Sequence, residues 1–215
     1  LQARATALNE RRFDHLRYRG PGTDLLIGLH PESAWQAALD RSNGIDHVAN
    51  MPTEEVFTTP DSRRVEGTVR STLPLQIQGN IVRDLEVRFE GGRAVEVKAG
   101  TGEDVMRTHV ATDEGASRLG EVALVDGHSA VGETGLVFYD TLYDENASSH
   151  IALGAPILQA VEWAGELSPE ERVARGVNHS SIHTDFMIGS VDLEVDGVTT
   201  SGEAVPILRS GDWLL

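Results

Sequence analysis

The chain has 215 residues, with 18 Lys and Arg against 34 Asp and Glu and a formal net charge of −16. That balance leaves no basic face to neutralise phosphates, so nucleic acid is excluded as a partner. With no cysteine there is neither a disulfide nor a thiolate metal site, and no apolar run approaches the ~20 residues of a transmembrane helix.

Leu1 to about Tyr18 reads as a charged amphipathic helix, with Leu8, Phe13 and Leu16 as its apolar positions. The chain opens on Leu1 inside that helix, with no signal peptide, which predicts that the natural N-terminus lies upstream. "TDLLIGLH" (Thr23 to His30) predicts a buried strand. A turn-rich stretch follows Trp35 and ends at "NGIDHVANMPTEEVFTTPD". "RRVEGTVR", "LPLQIQGNIV" and "DLEVRFEGGRAVEVKAG" are β-like. In the last, Leu85, Val87 and Phe89 alternate with polar neighbours, and Gly91 and Gly92 supply a hairpin turn. "TGEDVMRTHVATDEGA" predicts a helix capped by Thr101. "GEVALVDG" predicts a short buried strand, and "LVFYDTLYDENASSHIALG" a strand, a loop, then strand or helix. "SPEERVARG" starts a helix, with Ser168 as cap, Pro169 at the first position and Glu171 at the third. The tail predicts hairpins turning at "VDGV" and "RSGDW". No repeat, low-complexity run or linker interrupts the chain. The reading is one α+β domain over residues 1–215, a β-rich mixed sheet or barrel-like fold with a few short helices.

In "NHSSIHTDFMIGS", His183 and Asp185 are two residues apart ahead of the apolar run Phe186, Met187, Ile188. At that spacing they share one face of a strand, where they reach a metal, a substrate or only each other. Other acids and a histidine also sit at ends of apolar strands: Glu54 and Glu55, Glu121, Glu145 and His150. A single strand-end Glu is usually a solvated surface residue, and a single His on an apolar face is usually a core residue. Two His with several carboxylates, in a chain without Cys, form a set suited to zinc, manganese, cobalt or iron, and to a two-metal site. His15, His47, His109 and His128 read as surface, His30 as a pocket candidate and His179 as a loop residue.

The blocks "NMPTEEVFTTPD", "GEVALVD", "YDENASSHIALG" and "HTDFMIGS" together resemble the thermophilic aminopeptidase T family, peptidase family M29. The likeness runs from about Leu25 to the C-terminus. It implies that the chain is the C-terminal, metal-binding half of a two-domain protein, without the N-terminal α/β domain. It also implies the ligand set Glu55, Glu121, Glu145, His150, His183 and Asp185 around two divalent ions, zinc, cobalt or manganese. Glu121 takes the bridging place, and Glu54 stands as the fallback for Glu55. The implied reaction is hydrolysis of the first peptide bond of a peptide with a free N-terminus, with Glu54 or Glu55 as general base. A cytoplasmic homodimer, without membrane or nucleic acid, is the implied setting.

Between Glu145 and His150 the "NASS" segment predicts a loop or bulge, with Asn146 and Ser148 either bonding a ligand or simply turning the chain. One departure concerns the position seven residues after His150, where the family usually carries a tyrosine and this chain has Ile157. Tyr139 and Tyr143 are then read as upstream strand residues near the site. A competing reading is a mononuclear iron dioxygenase of the same fold built on His150, His183 and Asp185, for which the three glutamates would be superfluous. A third is a metal-binding or dimerisation module without activity of its own.

Overall fold

The computed structural model describes residues 1–215. Its elements begin with α1 (Gln2–Arg11), β1 (His15–Gly20), β2 (Thr23–Leu29), β3 (Leu39–Ser42), β4 (Ile45–Val48), β5 (Glu55–Thr58) and β6 (Pro60–Arg70). They continue with β7 (Leu75–Ile77), β8 (Asn80–Val82), β9 (Glu86–Glu90), β10 (Arg93–Lys98), α2 (Glu103–Val110) and β11 (Leu119–Val125). The last are α3 (Thr141–Ala147), β12 (His150–Gly154), α4 (Pro169–Ala174), β13 (His183–Met187), β14 (Glu194–Val198), β15 (Ala204–Arg209) and β16 (Asp212–Trp213). An eight-stranded sheet runs β10-β9-β6-β2-β1-β14-β15-β16, and a four-stranded sheet runs β13-β12-β11-β5. The fold is thus α+β and β-rich, as the sequence predicts. The edge strands β10 and β16 do not meet, so the sheet stays open and no barrel closes. No helix is long and apolar enough to cross a membrane.

One cluster of buried side chains joins the two large sheets. The eight-stranded sheet contributes Leu16, Tyr18, Leu25, Ile27, Val65, Val87 and Phe89; the four-stranded sheet contributes Val56, Val122, Leu124, Ile151, Leu153 and Phe186. Each large apolar side chain buried there stabilises the fold by roughly 1.5–3 kcal/mol.

Local rules account for most elements and for the departures from them. Leu85, Val87 and Phe89 are buried at period two, and Gly91 and Gly92 turn the β9–β10 hairpin with positive φ. Ser168 caps α4 in a capping box with Glu171. The expected first helix is cut short. It ends at Arg11, Arg12 turns left-handed, and Leu16 and Tyr18 become buried residues of β1. "HLRYRG" alternates apolar and polar residues, and pairing with β2 and β14 decides for the strand. The stretch after Trp35 hides a hairpin, β3–β4, turned by Asn43 and Gly44 with φ of 52° and 78°. α2 is preceded by Gly102 in the left-handed region rather than capped by Thr101, which bridges to Arg83. Leu136–Phe138 forms no strand; Asp140 caps α3 instead, accepting the Tyr143 N–H. "VDGV" is not a turn. Gly197 lies inside β14, paired with Leu16 and Val205, and its lack of a Cβ leaves room for the Phe13 ring; the chain turns at 199–202.

Candidate metal centre

The four-stranded sheet has two unlike faces. Residues directly opposed in antiparallel pairs share a face. Across β5 and β11, Glu55 opposes Val125 and Phe57 opposes Ala123. Across β11 and β12, Glu121 opposes Ala152 and Ala123 opposes His150. Across β12 and β13, Ala152 opposes Asp185 and Gly154 opposes His183. Glu55, Glu121, His150, His183 and Asp185 therefore stand on one face, while Val56, Val122, Leu124, Ile151, Leu153 and Phe186 enter the core from the other. Ala123 and Ala152 lie between these polar residues and are fully covered; their small side chains leave room for the longer ones above them. Glu145 arrives from the last turn of α3 rather than from a strand.

Three overlapping groups result, each with ligand atoms within 4.8 Å of one another: Glu55, Glu121, His150; Glu121, His183, Asp185; and Glu145, His150, Asp185. His150 Nε2 is 3.1 Å from Glu55 Oε2. His183 Nε2 is 3.1 Å from Glu121 Oε2 and 3.4 Å from Asp185 Oδ1. The other ring nitrogen is engaged in both cases. His150 Nδ1 donates to Ser148 O at 3.0 Å and His183 Nδ1 donates to Ala155 O at 2.8 Å. A carbonyl only accepts, so the neutral ring carries its proton on Nδ1 and turns the Nε2 lone pair into the carboxylate cluster.

Electrostatics in this cluster is unbalanced. Glu55, Glu121 and Asp185 are 7%, 5% and 9% exposed, and their nearest cationic partners are the two histidines. Burial, then repulsion from Asp185, raises the Glu145 pKa to about 8. Burial raises Glu121 as well, against the pull of His183. Burial lowers His150, but the Glu55 carboxylate more than offsets this and brings it to about 10. His183 is likewise lowered by burial and lifted to about 11 by Asp185 and Glu121. Burial raises Asp185, yet its bond to His183 leaves it below the usual carboxylate value. The Glu55 Oε2 atom is buried with no hydrogen-bonded partner, although His150 Nε2 lies 3.1 Å away. An orphaned buried acceptor costs about 1–3 kcal/mol, more when charged, and a cation removes that cost. The donor set fits a metal: oxygen and imidazole nitrogen only, matched to zinc, manganese, cobalt or iron.

The remaining sequence expectations divide. Glu54, the fallback for Glu55, precedes β5, half-buried, outside all three groups. Its N–H donates to Asn146 Oδ1 at 2.6 Å, and Asn146 Nδ2 donates to Leu142 O. Asn146 thus ties the approach to β5 onto α3. The link from Glu145 to His150 is the end of α3 followed by a short loop at Ser148 and Ser149, with Ser148 Oγ donating to Gly189 O. Tyr139 and Tyr143 are not strand residues. Both are exposed; the Tyr139 hydroxyl accepts from Arg83 and the Tyr143 ring packs on Phe138. His30 is fixed by Arg175 O and the Glu32 N–H, away from the cluster. His109 is not free surface: half-buried on α2, its Nε2 lies 2.6 Å from Thr184 Oγ1, bracing β13 between His183 and Asp185. Neither this brace nor the Ser148 and Ala155 carbonyls has a sequence signal, because each depends on a fold-level contact or on a backbone atom.

The sequence model described as Thermophilic metalloprotease (M29) matches residues 1–213. The chain is 50% identical to aminopeptidase T of Thermus aquaticus over 100% of its own length and 52% of the relative's. It is 45% identical to aminopeptidase PepS of Streptococcus thermophilus, again over 100% of the chain and 52% of the relative. Wild-type AmpT from Thermus thermophilus superimposes with a TM-score of 0.94 at 46% identity, covering all of this chain and 53% of that one. A 2,5-dihydroxypyridine dioxygenase from Pseudomonas putida superimposes with a TM-score of 0.64 at 13% identity over 99% of the chain and 59% of the other, a likeness of fold alone. The chain spans about half the length of the curated relatives it matches. On the whole-chain match and these identities, it belongs to the M29 family of thermophilic metalloproteases.

Proposed function

We propose that residues 1–215 act as a single metal-binding, catalytic domain within a metal-dependent aminopeptidase that cleaves the first peptide bond of peptides with a free N-terminus. The observation that carries this reading is the sheet face on which two imidazole Nε2 atoms and four carboxylates converge with no Lys or Arg paired to them. Relatives named aminopeptidase T and aminopeptidase PepS support the activity, and the family description supports metal dependence.

In this reading Glu55, Glu121, Glu145, His150, His183 and Asp185 hold two divalent ions, zinc, cobalt or manganese. Four carboxylates against two doubly charged ions balance to zero, which the buried cluster otherwise lacks. Glu121 and Asp185 each belong to a group with His150 and to the group with His183, and Glu121 would take the bridging place that the family resemblance gives it. When bound, such ions lower the pKa of a shared water and polarise a carbonyl. The chain's own residues supply the rest. Ser148 O and Ala155 O hold the two rings in one tautomer and orientation. Glu55, buried inside a group, acts as ligand rather than base. Glu54, one residue away and outside the groups, takes the proton of the attacking water and passes it to the leaving amine. The acidic chain attracts a cationic peptide N-terminus. The working form is a cytoplasmic homodimer of the full-length protein; exposed Leu39, Ile45 and Val48 on the β3–β4 hairpin support a subunit contact.

Metal analysis and turnover of the full-length protein test the proposal. Two zinc, cobalt or manganese ions per chain with hydrolysis of an aminoacyl-anilide is the expected result. One iron per chain with oxygen consumption would replace it with the dioxygenase reading, and metal without turnover would leave a binding module.

A further inference from the structure

We propose that Asn146 is a positioning residue that holds Glu145 at a set distance from the Glu54–Glu55 segment, an inference that rests on the metal-dependent reading above. α3 has seven residues, and an isolated helix of that length is marginal in water, so tertiary contacts place it. Its two buried side chains, Asp144 and Asn146, are both polar, and its docking is largely polar as a result. Asp144 is spent locally, accepting the N–H groups of Phe138 and Asp140 at 2.8 and 3.2 Å. Asn146 makes the one hydrogen bond from α3 to a distant part of the chain. It is fully buried, and its Oδ1 accepts the Glu54 N–H at 2.6 Å while its Nδ2 donates to Leu142 O at 2.9 Å, one turn back. Both ends of the amide are therefore used. An N–H only donates, so the atom that faces Glu54 must be the oxygen, and this fixes the orientation of the amide.

Strand register explains why this bond bears on the site. Glu55, Glu121, His150, His183 and Asp185 stand on the four-stranded sheet, and pairing sets their spacing. Glu145 is the one member of the three groups that comes from a helix, so pairing does not set its distance from the sheet. Asn146 follows it directly. At the other end of the bond, Glu54 lies just before the first rung of β5, where Glu55 opposes Val125, and its N–H has no ladder partner. Asn146 supplies that partner. One side chain thus joins the helix that carries Glu145 to the segment that carries Glu54 and Glu55. Without the acceptor, α3 is free to move off the β5 end of the face, and Glu145 loses its aim. The group of Glu145, His150 and Asp185 suffers first. The group of Glu121, His183 and Asp185 is built wholly on strands and keeps its geometry.

The experiment titrates zinc into full-length, metal-stripped protein by calorimetry, for wild type, Asn146→Leu and Asn146→Asp. Leucine fills the volume of the amide without an acceptor, and aspartate keeps the oxygen. In Asn146→Leu one of the two ions should bind about 10- to 100-fold more weakly, the loss expected when a group that orients a ligand is removed. The other ion should stay within about threefold of wild type, and Asn146→Asp should bring the weakened ion back to the same range. At saturating zinc, Asn146→Leu should lower kcat on an aminoacyl-anilide with little change in KM. Equal weakening of both ions, as a general loosening of the fold would give, overturns the assignment. So do unchanged affinities in Asn146→Leu, or equal losses in the two variants. Amide exchange in the stripped wild type needs no variant: the Glu54 N–H should be protected like a strand amide although it lies outside β5, and exchange at the rate of an open loop overturns the bond. A wild type that binds no zinc removes the metal reading instead, and a protected Glu54 N–H in that protein shows that the Asn146 link survives it.

Discussion

The two large sheets each bury one face in the same core, yet they treat charge on the other face in opposite ways. On the eight-stranded sheet, carboxylates meet guanidinium groups of the same sheet: Arg17 pairs with Asp24, Arg88 with Glu90 and Glu96, and Arg209 with Asp196. Asp196 is only 4% exposed, but Arg19 and Arg209 both reach it. On the four-stranded sheet Glu121 is 5% exposed and meets only the His183 ring, and a Glu55 oxygen meets no donor. A buried carboxylate needs a compensating charge. One sheet supplies it from its own arginines. The other supplies two imidazoles for four carboxylates, a shortfall that the proposed metal ions would make up.

The contrast can be broken or sharpened experimentally. The largest effect is expected from Glu121→Ala, which should remove metal and lower kcat/KM by about 10³-fold or more, the loss of several kcal/mol of transition-state stabilisation. Two tightly bound metals in that variant would sink the bridging role. Glu54→Gln should retain both metals and lower kcat by about 10²-fold; metal analysis beside steady-state kinetics separates base from ligand. On the other sheet, Asp196→Asn should leave metal content and kcat unchanged and cost about 1–2 kcal/mol of stability, discounted for the partly exposed arginines. Denaturant unfolding reads that loss, and a change in metal content would mean that the sheets do not divide the charge as described.

The smallest expected effect is a pH trend in the metal-stripped protein. Glu145 is raised to about 8, so its resistance to ionising costs stability as pH rises from about 4.5 through 8. His150 and His183, raised to about 10 and 11, contribute stability below about 6.5 and lose it as pH rises through those values. All three carry the same sign, while Asp185 acts only in acid, where its depressed pKa makes stability fall as pH drops. The melting temperature of the stripped protein should therefore decline by a few degrees from pH 6 to 9. Added zinc should flatten the decline, and an upward slope without metal would contradict the charge assignment.

Much of the architecture was legible in short-range pattern. Period two placed Val87 and Phe89 inside and put His183 and Asp185 on one face; the Ser168–Glu171 spacing marked a capping box. Pattern failed where a distant contact chose between two locally acceptable forms. "HLRYRG" can serve a helix or a strand, and β2 and β14 made it a strand. Gly197 reads as a turn residue until the Phe13 ring is laid against it. The Asn43–Gly44 turn was within reach of local rules, for the dipeptide is a strong hairpin signal.

By itself the sequence determined the ligand chemistry. Without Cys, any metal centre here must be made of His and carboxylates, and the strand period sets which of them share a face. Only the tertiary structure decided the rest. Register between β5, β11, β12 and β13 brought Glu55, Glu121, His150 and Asp185 together across 131 residues of chain, from 55 to 185 inclusive. Two backbone carbonyls selected the imidazole tautomers. Thr59, just after β5, clamped the backbone of Ile157 from 98 residues away. Residue type is a local property, whereas distance and exposure come from pairing between segments far apart in the chain.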